Sequence, residues 1–476
     1  MNRFRQIITS NNFLSLANNG LVAVFAFLSF IMLVRMVPQE TFGEWILFIT
    51  ASNFLDMLRF GITRTALIRF LSGAHDTEAK SLMGANNVIN LISTILLALI
   101  LFVIYYFAKD TIQNSGFDLF FKWYPLLAFL TLPFNNAQSV LQAQLRFDKM
   151  LWLRLLNVGG FMLFLTANLF LKYDISVILW AYLLSNLLSS MLASAYNWDG
   201  IRFIFKTKSE AVKTILNFGK YTTGTLIGSN LLKSSDTFII GLSAFLGPMG
   251  VALYSIPLKL TEIIEIPLRS FAATAFPGMS KASLDNNPNE VKRIFYANAG
   301  GMTFLMIPVM IFSFIFAKEI VFILGGSDYI ITANIFRVFC IYGLLLPIDR
   351  FIGVALDSIN RPKSNFYKVL YMASANIIGD LLVVFGLPTL ILGFSFFVLL
   401  FSGIMPDNAY DLAHGFTVIK TLEGVAFVTI LFTLTGISIG YYYLIKTIDI
   451  KFLDIFRIGY AEGSRIIKTY LPDRKS

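Results

Sequence analysis

Asn230-Leu-Leu-Lys233-Ser-Ser-Asp236-Thr-Phe-Ile-Ile-Gly241, a turn at Leu246-Gly247-Pro248, and Lys259-Leu-Thr-Glu262-Ile-Ile-Glu265-Ile-Pro-Leu-Arg269 all lie in one long apolar stretch from Phe218 to Lys281. An ionisable group near the middle of a bilayer costs about 2.5 to 3.5 kcal/mol on insertion scales, so such groups normally face a protein interior or a water-filled cavity. The stretch therefore reads as a membrane hairpin that walls a transport path.

The rest of the chain is consistent with that reading. Of its 476 residues 56% are hydrophobic and 14% charged, and the mean hydropathy is +0.71. Soluble domains average about 45 to 50% apolar and about 25% charged residues, so the sequence predicts a polytopic, all-α membrane protein. The net charge of +10 sits mostly in short loops between apolar runs, which argues for membrane topology and against a nucleic-acid partner. A single cysteine, Cys340, excludes an internal disulfide, and His75 and His414 stand far apart without cysteine partners, giving zinc no support.

A spanning helix needs about 20 apolar residues. On that rule the predicted spans fall near 13–37, 43–66, 82–107, 118–141, 150–171 and 174–195, then 218–244, 249–275, 294–316, 331–356, 365–387 and 422–445. The first run is too long for a signal-peptide core and has no small-residue cleavage site. The expected organisation is an N-terminal lobe of six helices (1–196), a polar cytoplasmic linker (197–216), a second six-helix lobe (217–450) and a basic cytoplasmic tail (451–476). With the N-terminus cytoplasmic, 25 Lys and Arg fall in inside segments and 6 in outside ones; the positive-inside rule then puts both termini in the cytoplasm. Between Pro388 and Lys420 an apolar run of about 14 residues is short for a span. Pro388 is expected to end or kink the preceding helix, leaving 388–420 as an extracytoplasmic insertion.

Two sets of charges lie deep in predicted spans. Asp56 and Arg59 are spaced i, i+3 and share a helix face with Thr63; Lys259, Glu262 and Arg269 share another, with Glu265 at its margin. Two readings stand: internal ion pairs that hold helices together, or a mixed-charge lumen able to receive phosphate or acidic sugar. Arg64, Arg337 and Arg350 sit near span ends, where long side chains can snorkel to the interface.

Several pieces resemble the multidrug/oligosaccharidyl-lipid/polysaccharide exporter superfamily, in its O-antigen and polysaccharide flippase branch. They are Arg35-Met-Val-Pro38-Gln-Glu-Thr-Phe42-Gly43-Glu-Trp45, Phe60-Gly61-Ile-Thr-Arg-Thr-Ala-Leu-Ile-Arg69, Asp236 to Gly241, Leu246 to Tyr254, Phe276-Pro277-Gly-Met-Ser280, Ile323-Leu324-Gly325-Gly-Ser-Asp-Tyr329 and Asn360-Arg361-Pro362-Lys363. Their order and spacing across nearly the whole chain carry the resemblance.

The resemblance implies about twelve transmembrane helices in two six-helix lobes around a central cavity that opens alternately to either side of a bacterial inner membrane. It implies a flippase for undecaprenyl-diphosphate-linked oligosaccharide, with membrane lipids and a polysaccharide polymerase complex as partners and a monomer as the working unit. On this reading Arg59, Lys259, Arg269, Glu262 and Asp56 would bind substrate. Lipid II flippases of the family hold a sodium ion between three helices, and the matching positions here are Asp236, Asn376, Asp380, Val425 and Thr429. The alternative is that Lys233, one turn before Asp236, neutralises it while Asn376 and Asp380 make only interhelical contacts.

Other functions fit less well. No Gly-rich run ending in Lys-Ser/Thr is present, which argues against an ATP-driven pump. A multidrug exporter of the same superfamily would favour an acidic pocket for cationic drugs, whereas Arg59, Lys233, Lys259 and Arg269 are basic. A polymerase or glycosyltransferase would need a catalytic set, and Asp407, Asp411 and His414 in the longest outer segment do not form an obvious one.

Overall fold

In hydrocarbon every backbone N–H and C=O must be satisfied within its own segment, and the apolar runs achieve this as helices. The computed structural model describes residues 11–113, 115–401 and 409–470 and is all-helical, with no strand among them. Arg3, Arg5, Arg474 and Lys475, which contribute to the charge asymmetry, and residues 402–408 lie outside the described residues.

The main helices are α1 Asn11–Met36, α2 Gln39–Leu71, α3 Asp76–Phe107, α4 Asp118–Leu130, α5 Leu132–Ala143, α6 Phe147–Arg154, α7 Gly160–Leu171 and α8 Ile175–Ala195. They continue as α9 Ser209–Leu242, α10 Gly247–Leu284, α11 Pro288–Ile315, α12 Ala333–Ser358, α13 Pro362–Phe401, α14 Ala409–Ile448 and α15 Phe452–Tyr470. A π-helical turn, Leu155–Gly159, joins α6 to α7. Among the described residues, eight helices are long and apolar enough to cross a membrane. In addition α9 and α10, with 34 and 38 residues, exceed the about 20 that a bilayer requires. The protein is an all-α polytopic membrane protein.

Contacts divide the chain into two compact units, Met1–Asn230 and Leu231–Ser476. In the first, an apolar core joins Leu67 and Leu71 of α2, Leu82, Ala85 and Ile89 of α3, Val140 of α5 and Ile215 of α9. The polar segment after α8 is docked into this unit. Asn87 donates to the Asp199 carbonyl at 2.9 Å, the Lys208 amide donates to Ser81 at 3.0 Å, and Phe203 is buried against α3. Gly84 permits the approach, because a Cβ there would stand 2.3 Å from the Phe203 carbonyl oxygen.

In the second unit α13 and α14 pack antiparallel, with Gly379 against Val428, Gly424 against Val383 and Gly436 against Met372. This register sets Asn376 and Asp380 of α13 level with the Val425–Thr429 turn of α14. Of the two outcomes expected at Pro388, an end or a kink, the helix does not end: α13 runs on to Phe401. Proline removes one donor, but leaving the helix would strand several backbone groups in an apolar setting, and the Thr389 hydroxyl adds a bond to the Gly386 carbonyl at 3.1 Å.

The C-terminal segment forms α15, which lies alongside α11. The Lys451 amide donates to the Tyr296 hydroxyl at 2.7 Å, and the Phe304 and Tyr460 rings are 5.1 Å apart. Between these points Gly300 and Gly459 meet backbone to backbone: a Cβ at Gly300 would lie 1.9 Å from the Ile455 carbonyl oxygen. Gly300→Ala is expected to push α15 off α11 at an overpacking cost of about 1 to 3 kcal/mol. Thermal unfolding with limited proteolysis checks this; unchanged melting and unchanged protection of 452–470 would contradict the packing.

Candidate functional site

Arg59 and Asp56 come together in the first unit, and the pair is consumed internally. The Arg59 side chain is fully buried and its guanidinium lies 2.8 Å from Asp56 Oδ1. It also donates to the hydroxyls of Thr94 (2.9 Å) and Thr131 (3.0 Å) and to the Ala128 carbonyl. The Tyr124 hydroxyl donates to Asp56 Oδ1 at 2.8 Å, so the carboxylate has both a cationic and a neutral donor. The helix face seen in the sequence thus carries the ion-paired reading, with α4 supplying Ala128 and Tyr124.

A network that the sequence reading missed continues from this pair. Asn86, Asn87 and Asn90 of α3 converge on Asn136 of α5: Asn86 and Asn90 donate to its Oδ1 at 3.0 and 2.7 Å, and its own amide donates to Asn87 Oδ1 at 2.8 Å. Thr63 donates to Asn90 Oδ1 at 2.9 Å, and Thr94 donates to the Asn90 carbonyl. All four asparagines are buried, and buried polar groups satisfied in this way fix one packing of α2, α3 and α5. Polar residues at i, i+1 and i+4 in an otherwise apolar span were the available signal.

In the second unit Lys259 pairs with Glu262 at 2.7 Å, and Glu265 receives both Lys233, at 2.8 Å, and Arg269. The Arg269 and Glu262 side chains are largely exposed, with 60% and 61% of their surface accessible. Lys233 turns to Glu265, so the alternative in which it neutralises Asp236 does not hold. A further buried pair joins Lys368 to Asp349 at 2.6 Å.

Asp236 of α9 is held by neutral donors. Asn376 donates to its Oδ1 at 2.7 Å and Tyr254 of α10 to its Oδ2 at 2.9 Å; Asn376 also donates to Ser235 at 2.8 Å. Asp380 is completely buried beside Asp236, and the two carboxyls interact. Neither Asp380 oxygen has a hydrogen-bond partner, and the Asn376 Oδ1 has none. The Thr429 hydroxyl donates to the Val425 carbonyl at 3.3 Å. All five residues expected at a sodium site therefore belong to one unit. The two Asp380 oxygens and the Asn376 Oδ1, beside the Asp236 carboxyl, form an all-oxygen donor set of the kind that hard cations take. Among the described residues no three His, Cys, Asp or Glu side chains cluster as a metal site, so any ion here would rest on two carboxyls plus neutral oxygens.

The fold is found in solved structures of other proteins. It resembles an inward-facing MATE-family multidrug resistance transporter with a TM-score of 0.66 and 16% identity, over 90% of this chain and 96% of that one. It resembles the lipid II flippase MurJ in an inward closed conformation with a TM-score of 0.64 and 16% identity, over 96% and 93%. These likenesses concern the fold alone. Residues 8–283 match the family described as polysaccharide biosynthesis protein, more than half of the chain, and the protein belongs to that family. A relative in Haloferax volcanii, the probable low-salt glycan biosynthesis flippase Agl15, is 25% identical over 232 residues, 48% of this chain. The match spans about half of that relative's length, 47%.

Proposed function

We propose that the protein is a flippase that moves an undecaprenyl-diphosphate-linked oligosaccharide, such as an O-antigen, capsule or related polysaccharide unit, across a bacterial inner membrane by alternating access. The observation that carries this reading is membership of the polysaccharide biosynthesis family over residues 8–283, in a chain with a transporter fold along nine-tenths of its length. The name of the Haloferax relative supports it. The chain acts as a carrier, with no covalent step on its substrate, and both termini face the cytoplasm. The half-buried Lys259 and the exposed Glu262 and Arg269 of α10 contact the charged glycan head, while Asp56 and Arg59 hold the first unit in shape.

Asp236, Asn376, Asp380, Thr429 and the Val425 carbonyl would hold a coupling cation, sodium, whose charge would offset that of the buried carboxyls. Such an ion shifts the conformational balance only in so far as it binds one state more tightly than the other. Asp236, fixed by Tyr254 and Asn376, orients the site; Asp380, with its oxygens unengaged, is the ligand most free to respond.

Loss of the protein in its host is expected to leave the lipid-linked oligosaccharide in the inner leaflet, shielded in intact spheroplasts from an impermeant glycan-cleaving reagent. Reagent-accessible glycan in the deletion strain would contradict the reading. Extrusion of cationic dyes without any glycan phenotype would favour the drug exporter.

A further inference from the structure

Two arginines of the first unit stand near each other with no carboxylate partner. Arg64 of α2 donates to Gln142 Oε1 at 3.2 Å, and Arg154, the last residue of α6, donates through Nε to Gln138 Oε1 at 3.0 Å. The two guanidiniums are close enough to repel one another. Among the described residues neither forms an ion pair with a carboxylate, and the nearest acid in sequence, Asp148, is taken by Arg146 at 2.9 Å. Arg69 lies over the Phe218 ring at 4.9 Å and Lys149 over Trp198 at 5.1 Å.

The acceptors that hold the arginines are neutral amides on one face of α5, four residues apart. Each uses its oxygen on one arginine N–H and leaves the rest of the fork open. The Gln138 residue is only 4% exposed, and its Nε2 is a buried donor with no partner. The cluster therefore presents two positive forks and an unsatisfied amide donor, with no acceptor left over. Such a set is electrostatically unfavourable alone and complementary to an anion with several oxygens, since arginine forks match phosphate oxygens in pairs. Arg64 lies seven residues before the end of α2, and Arg154 seven residues after the start of α6, which is about 10 Å of helix in each case. In the orientation proposed above these are cytoplasmic ends, where the phosphates of an inner-leaflet lipid enter.

We propose that Arg64 and Arg154, with the Gln138 amide, bind the diphosphate of an isoprenoid-diphosphate-linked substrate. This rests on the flippase reading and assigns the diphosphate itself to the first unit, where Arg59 is already held by Asp56. Ordinary phospholipid phosphate offers related chemistry, and the second phosphate is what lets the substrate bridge both forks.

The test uses the full chain in phosphatidylcholine nanodiscs, with farnesyl diphosphate as probe, farnesol as neutral control and phosphatidylglycerol as the bulk anionic lipid. Farnesyl diphosphate is expected to raise the melting temperature of the wild type while farnesol does not. Arg64→Gln and Arg154→Gln should each weaken its binding at least tenfold, and the double variant should lose the melting shift. Without probe, the variants should melt at or above the wild-type temperature because the repulsion is relieved, which a structural role would not produce. Arg64→Lys and Arg154→Lys keep the charge but lose the fork, and should fall between wild type and glutamine. Wild-type affinity in all four single variants would overturn the site and leave the flippase reading standing. Equal protection by phosphatidylglycerol would assign the pair to bulk lipid and overturn it. A wild type that binds farnesyl diphosphate no better than farnesol would count against a diphosphate-linked substrate altogether.

Discussion

Asp380→Asn is expected to abolish sodium-dependent stabilisation and any sodium dependence of transport while leaving the protein folded. The wild type carries two neighbouring buried carboxyls, Asp236 and Asp380, and both Asp380 oxygens lack a hydrogen-bond partner. A cation that binds only the folded state stabilises it by about 2.7 kcal/mol at a hundredfold excess over its Kd. Titrating sodium against choline while following thermal unfolding should therefore raise the wild-type melting temperature and leave that of the variant flat. In sodium-free buffer the variant should be at least as stable as the wild type, because the substitution removes one of two adjacent buried acids. A variant that keeps the full sodium response would remove Asp380 from the site.

Arg59→Ala is expected to have the opposite character: no selective loss of transport, but failure to fold. Truncation strips Asp56 of its cation and leaves Thr94, Thr131 and the Ala128 carbonyl without their donor. Removing one member of a buried pair costs about 3 to 5 kcal/mol, a large part of the about 5 to 15 kcal/mol by which proteins are stable. Arg59→Lys should recover only part, since a single ammonium cannot reach Asp56 and the α4 groups together. Detergent-solubilised yield and elution profile read the outcome. A well-folded Arg59→Ala protein with wild-type melting and impaired transport would return Arg59 to direct substrate contact.

The spans were legible in the sequence because a bilayer demands a run of apolar residues whatever its neighbours are, and breaks such as Pro38 and Gly247-Pro248 mark where runs end. Pro388 left an end or a kink open; because the same demand outweighs the loss of one donor, α13 continues to Phe401. Local pairings could be read from helical spacing, as with Asp56 and Arg59. Pairings between distant helices could not. Asp236 meets Asn376 across 140 residues, and only the family resemblance brought those positions together on paper. Arg64 resembled a snorkelling side chain near a span end; that it stands beside Arg154 near Gln138 follows from the packing of α2, α5 and α6. The Lys368 pair with Asp349 is of the same kind, its partner being on another helix.

The central claim is tested most directly by translocation in proteoliposomes: purified protein, a fluorescent lipid-linked oligosaccharide in the lumenal leaflet, and an external reagent that destroys only exposed glycan, with and without a sodium gradient. Exposure that depends on the protein and responds to the gradient is the predicted result. Glycan that stays protected in every condition, with the protein shown to be folded and inserted, would contradict it.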